Sequence, residues 1–279
     1  QQVEGYEVAI SNDLYKEADF TFSGKAVAAG KDVDTYPMGL AVNQFKNNND
    51  NFEVTFNVTD GALEITPLAV TVDITGNKAT EVYNGAEQKV EGYEVEISNN
   101  LYTEENIAFD GTAVATGTDV DEYAMGLVAG LFENTNKNFD VTFTVTDGQL
   151  TITPLAVTVD ITGNNASQVY NGEQQVEGYE VAISNDLYKE ADFTFSGKAV
   201  AAGKDVDTYP MGLAVNQFKN NNDNFEVTFN VTDGALEITP LAVTVDITGN
   251  KATEVYNGAE QKVEGYEVEI SNNLYTEEN

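Results

Sequence analysis

Carboxylates two residues apart on an extended chain point to one face. The sequence sets such pairs at Asp32-Val33-Asp34, at Asp119-Val120-Asp121 and at Asp205-Val206-Asp207. Paired acids are a beginning for a Ca2+ site, which takes roughly six to eight oxygen ligands. They equally suit a solvated strand edge or turn. That second reading is preferred, because no glycine-centred loop of the Asp-x-Asp-x-Asp-Gly type accompanies them. No cofactor is expected, and Ca2+ at these pairs is the one candidate.

Two asparagine-rich runs, Asn47-Asn48-Asn49-Asp50-Asn51 and Asn134-Thr135-Asn136-Lys137-Asn138, carry enough oxygens to hold a cation or a glycan. Asparagine also bonds its own backbone and tolerates left-handed angles, so turns are the expected role. Tyr6, Tyr36, Tyr83 and Tyr93 offer faces for stacking on sugars. Most stand in phase with apolar neighbours, which favours core packing with the hydroxyl at a rim. Lys–Asn cross-links need a lysine at one aligned place in every repeat. Instead Lys16 aligns with Thr103, Lys25 with Thr112, Lys31 with Thr118 and Lys78 with Asn165, so an array stiffened this way throughout is not expected.

Composition removes whole classes of chemistry. The chain has no Cys, His or Arg and a formal net charge of −34 at pH 7. Without Cys or His there is no thiolate or imidazole for metal ligation, and no Ser-His-Asp or Cys nucleophile. Glycosidase chemistry needs two acids at a set separation in a pocket, and nothing in the sequence points to one. The chain is read as not an enzyme. Its acidity excludes nucleic acid and opposes anionic membrane surfaces, and no apolar run reaches spanning length.

The elements that position these residues repeat. Val-Glu-Gly-Tyr begins at residues 3, 90, 176 and 263, so the unit is 86 or 87 residues long. Residues 1–106 return letter for letter as 174–279, whereas neighbouring units are roughly two thirds identical. Two divergent units therefore alternate. Period-2 alternation in Tyr93–Ile97 and Phe52–Val58 marks half-buried strands, and Tyr36, Met38, Leu40 and Val42 form another apolar series. Asp60-Gly61 and Asn84-Gly85 read as tight hairpin turns. Gly39–Asn48 is irregular, with room for a helical turn.

Apolar phase slips at Pro67-Leu68, and again at Pro154-Leu155 and Pro240-Leu241. Such a slip swaps the faces of a strand, and proline cannot donate to a ladder. Junctions are expected there with almost no linker. That frame gives 1–67 as a repeat lacking its first strand, 68–154 and 155–240 as complete repeats, and 241–279 as the opening part of another. The chain is read as a window on a longer array. The fold class is all-β: a tandem array of small Ig-like β-sandwich domains, with β-grasp-like units as the alternative.

Leu-Ala-Val-Thr-Val-Asp-Ile-Thr-Gly-Asn, then Val-Tyr-Asn-Gly, Gly-Thr-Asp-Val-Asp-Glu-Tyr and Val-Thr-Asp-Gly before Ile-Thr-Pro, resemble the tandem Ig-like or MBG-type repeats of Gram-positive cell-surface proteins. The resemblance covers the whole chain. It implies an extracellular stalk, usually anchored to the cell wall, that projects an adhesive or functional head, with no catalytic residue to carry over. Expected partners are neighbouring repeats of the same chain. Two alternatives stay open: a filament in which incomplete ends complete one another between chains, and a module whose repeats each bind a host glycan or protein weakly.

Overall fold

The structure is a computed structural model and describes residues 1–278. It is all-β: strands are joined by loops and single turns of 3-10 helix. The residues form two compact units. One comprises Gln1–Thr80, Gln88–Gly117 and Glu122–Thr151; the other comprises Glu81–Glu87, Thr118–Asp121 and everything from Ile152 on. Pro67 lies inside the first unit, and Pro154 and Pro240 inside the second. No strand pairing among the described residues nevertheless crosses Pro67, Pro154 or Pro240.

Within the second unit, residues 155–240 show the full pattern. Leu155–Gly163 is a central strand. It pairs antiparallel with Tyr179–Ile183 (Val159 opposite Ile183) and parallel with Phe225–Thr232 (Leu155 opposite Phe225). Its odd positions turn inward: Val157, Val159 and Ile161 are buried together with Tyr188, Phe193, Phe218 and Phe225. A second small sheet places Ala235–Thr239 between Ala166–Val169, parallel, and Thr208–Pro210, antiparallel. Leu236 and Ile238 are buried there with Met211 and Leu213. The layers are sandwich-like, with a mixed rather than purely antiparallel main sheet.

The Val-Glu-Gly-Tyr motif marks the point where the chain changes sheets. Gln174–Glu177 pairs with Val200–Gly203, whereas Tyr179–Ile183 pairs with the central strand. Gly178 stands between them at φ +88, a conformation that glycine adopts without steric cost. The Asn164 amide donates to the Glu177 carbonyl at 2.7 Å and holds the corner.

Neither expected hairpin forms. The strands on either side of Asp233-Gly234, the counterpart of Asp60-Gly61, belong to different sheets. The Asp233 carboxylate accepts the Gly212 and Leu213 N–H groups at 3.0 and 2.9 Å, so the aspartate ties down a neighbouring loop. Asn84-Gly85 does turn with φ +76 at the glycine, but it too links strands of different sheets. Turn chemistry was legible and strand partnership was not, since a turn fixes only local direction. The apolar series from Tyr36 also stops early. The strand ends at Pro37, Val42 opens a 3-10 turn through Gln44, and its side chain is exposed.

In the first unit, Leu68–Gly76 pairs antiparallel with Tyr93–Ile97 and parallel with Phe139–Thr146. Residues 1–67 lack a counterpart of that central strand. Phe52–Thr59 and Tyr6–Ile10 consequently form no strand, although the same eight residues at Phe225–Thr232 do. A strand here is a property of its partner as much as of its own sequence. In residues 241–278 only Val245–Gly249 and Tyr266–Ile270 pair.

Candidate functional site: a clasp at the repeat junction

The paired aspartates and the asparagine runs, separate in sequence, meet. In the first unit Asn138, at the end of its run, donates from Nδ2 to Asp32 Oδ1 at 2.9 Å. Its Oδ1 accepts the Val33 N–H at 2.7 Å, and its carbonyl accepts the N–H of Leu68, the first residue after Pro67, at 3.0 Å. In the second unit Asn224 repeats this against Asp119 at 2.9 Å, Val120 at 2.7 Å and Leu155 at 3.0 Å. One asparagine thus fastens the loop of the preceding repeat to the opening strand of its own. A neutral amide bonded to a carboxylate makes a charge-assisted contact, stronger than a neutral pair.

An apolar contact joins the clasp in the second unit. The Tyr83 ring meets Phe225 edge-on, centroids 5.2 Å apart, and the Tyr83 N–H donates to the Thr153 carbonyl at 2.9 Å. Leu187 lies against Gly85 so closely that a Cβ there would stand 3.1 Å from its Cδ2.

The members of each acidic pair have different tasks. Asp32 takes Asn138, while Asp34 accepts the N–H of its neighbour Thr35 at 2.8 Å. Asp207 does the same for Thr208 at 2.7 Å, and the Asp205 carbonyl accepts the Tyr209 hydroxyl at 3.1 Å. Among the described residues, no three acidic, His or Cys side chains converge as metal ligands.

The asparagine runs are closed on themselves. Asn134 Nδ2 donates to the carbonyls of Asn136 and Phe139 at 3.0 and 2.8 Å, and its Oδ1 accepts the Asn136 N–H and the Tyr102 hydroxyl at 2.9 and 3.1 Å. Asn47 and Asn220 make the same four bonds with Tyr15 and Tyr188. Asn51, the counterpart of Asn138 in residues 1–67, turns its amide back onto Asn49 Oδ1 at 3.1 Å. Of the tyrosines read as possible sugar platforms, Tyr93 packs edge-on against Phe109 and Phe132, and Tyr6 against Phe22 and Phe45. The Tyr36 hydroxyl donates to the Asp32 carbonyl at 2.9 Å.

Tyr102 and Tyr188, which sequence reasoning did not single out, anchor these loops. Each is 1 % exposed. Burial, reinforced by the nearby Asp192 charge, pushes the Tyr188 phenol up to about 12. Because an unfolded tyrosine ionises near 10, the contribution of Tyr188 is intact below about pH 10 and is lost as pH rises toward 12. Alkaline unfolding should therefore steepen above pH 10, and Tyr188→Phe should flatten that limb. Absorbance of the phenolate band against pH, read beside circular dichroism, checks this.

No family model matches the sequence, and no characterised protein or solved structure matches it.

Proposed function

We propose that this chain is a structural spacer, a segment of the stalk of an extracellular bacterial surface protein, and not an enzyme. The observation that carries the reading is the repeated clasp: Asn138 with Asp32 and Asn224 with Asp119 are made the same way across Pro67 and Pro154. A connection of one proline, bonded on both sides, supports a fixed orientation between successive repeats, unlike a flexible Gly/Ser coil. The domain frame proposed with it is 68–154 and 155–240 as complete repeats, 1–67 and 241–279 as partial ones. Of the two finer architectures, the parallel pairing of Leu155–Gly163 with Phe225–Thr232 favours β-grasp-like units, because the Ig fold is built from antiparallel sheets. The resemblance to Gram-positive surface repeats supplies the cell-wall setting and the head to be projected.

Small-angle scattering on arrays of increasing repeat number, at high dilution and with or without a calcium chelator, tests this. The spacer reading expects a maximum dimension that grows in proportion to repeat number. It also expects indifference to chelator, since the Asp32 carboxylate is engaged by Asn138. A maximum dimension that grows only as the square root of repeat number would sink it.

A further inference from the structure

Asparagine followed by glycine recurs with the sequence repeat, at Asn84-Gly85, Asn171-Gly172 and Asn257-Gly258. Each of these asparagines folds its side chain forward. Asn84 Oδ1 accepts the Ala86 N–H at 2.9 Å, and Asn171 and Asn257 take those of Glu173 and Ala259 at 3.0 Å. The ring closed by such a bond contains both the side-chain carbon Cγ and the backbone nitrogen of the glycine, so it draws an electrophile back toward a nucleophile. Asn84 and Gly85 are exposed. Among the described residues, nothing accepts the Gly85 N–H or the Asn84 Nδ2 hydrogens. Attacking nitrogen and leaving amide are both unencumbered, and glycine sets no Cβ beside that nitrogen. The asparagine runs are the opposite case. Asn134 spends its Nδ2 hydrogens on the carbonyls of Asn136 and Phe139, and a threonine follows it.

We infer that Asn84, with its two equivalents, is a site where the chain modifies itself by deamidation, and that the product loosens the contact beside it. The Gly85 nitrogen attacks Asn84 Cγ and gives up its proton to solvent base. Negative charge gathers on Oδ1, where the Ala86 N–H already donates. The Cγ–Nδ2 bond breaks, Nδ2 takes up a proton and leaves as ammonia, and a succinimide closes. Water then opens that ring at either carbonyl. One opening leaves aspartate. The other leaves isoaspartate, with the main chain rerouted through the former side chain. Nothing is oxidised or reduced, and water is the one co-reactant.

The residues on either side of Asn84 are docked. Tyr83 donates its N–H to the Thr153 carbonyl at 2.9 Å and sets its ring against Phe225, and Gly85 lies against Leu187. Isoaspartate lengthens the main chain by a methylene between these two anchors, so both cannot keep their places. Either product also adds a negative charge to a chain that already carries −34.

The test ages the full chain in mildly alkaline buffer, digests it with trypsin and sequences the peptides by mass spectrometry. The chain carries Asn257→Gln, because peptides 79–89 and 252–262 are otherwise identical. Asn12 is the internal control: it is exposed and its Oδ1 accepts the Leu14 N–H at 2.9 Å, but Asp13 follows it. Asn84 should convert at least ~10-fold faster than Asn12, with isoaspartate among the products. After ageing, the Tyr83 amide hydrogen should exchange faster with solvent. Asn84→Gln, whose longer side chain closes the ring poorly, should remove both changes. Equal rates at Asn84 and Asn12 overturn the inference. Conversion at Asn84 that leaves Tyr83 exchange unaltered overturns the loosening. Either failure leaves the spacer reading untouched, which stands on scattering from the fresh chain.

Discussion

Replacing Gly163 with alanine is expected to cost about 3 kcal/mol of stability, at the upper end of what overpacking a tight interior does. An added Cβ would stand 2.3 Å from the Gly234 nitrogen and 2.7 Å from its Cα. Both are backbone atoms and cannot swing aside as a side-chain tip can. Gly163 ends the central strand where Gly234 turns the chain into the second sheet, so two glycines meet where two sheets come together. The chain holds its own control. Gly249 ends an identical nonapeptide, but nothing lies within 4 Å of a Cβ there. Gly249→Ala should leave the urea transition within ~0.5 kcal/mol of the parent. Equal effects at the two positions would mean that strand sequence, rather than the meeting of sheets, sets the requirement for glycine.

The second large effect is expected at Asn220. Alanine there removes four hydrogen bonds at once, to Asn222 (two), Phe225 and Tyr188. The Tyr188 hydroxyl would keep only the Asp192 carbonyl, at 3.2 Å. Leaving half-buried donors and acceptors unmatched should cost ~3 kcal/mol. Asn221→Ala, one residue on and exposed, should change stability by less than ~0.5 kcal/mol. Adding Tyr188→Phe to Asn220→Ala should cost less than the sum of the two, because they share a bond. Chemical denaturation of the four proteins reads all of this, and additive costs would contradict the loop as drawn.

The all-β class was legible from alternation such as Val157, Val159 and Ile161, which places one apolar face inward, and the repeat from four returns of Val-Glu-Gly-Tyr. The partnership of strands was not. Asp-Gly at 233–234 carries the letters of a hairpin, yet the strands beside it go to different sheets, because pairing is decided by which apolar faces must share a core. Phe52–Thr59 makes the same point more sharply: its sequence equals that of Phe225–Thr232, and only the one with a central strand beside it becomes a strand.

The clasp escaped for a related reason. Asp32 and Asn138 are 106 residues apart and lie in two repeats, so the local sequence around each points only to a solvated edge or a turn. One signal could have joined them. Asp32, Asp119 and Asp205 hold aligned positions in both kinds of unit, as do Asn51, Asn138 and Asn224, while adjacent positions vary between Lys31 and Thr118 or Asp50 and Lys137. Residues that persist between divergent neighbours are candidates to meet across a junction.

On the spacer reading, this clasp holds successive repeats in one fixed orientation. Because the chain has no cysteine, spin labels can be placed at will. Lys25→Cys with Thr112→Cys marks aligned, exposed positions on either side of Pro67. Pulsed electron–electron resonance at high dilution should give one narrow distance for this pair. Asn138→Ala should broaden it, whereas Asn224→Ala, at the other clasp, should leave it unchanged. Broad distributions in the unaltered chain, or no response to Asn138→Ala, would contradict the account.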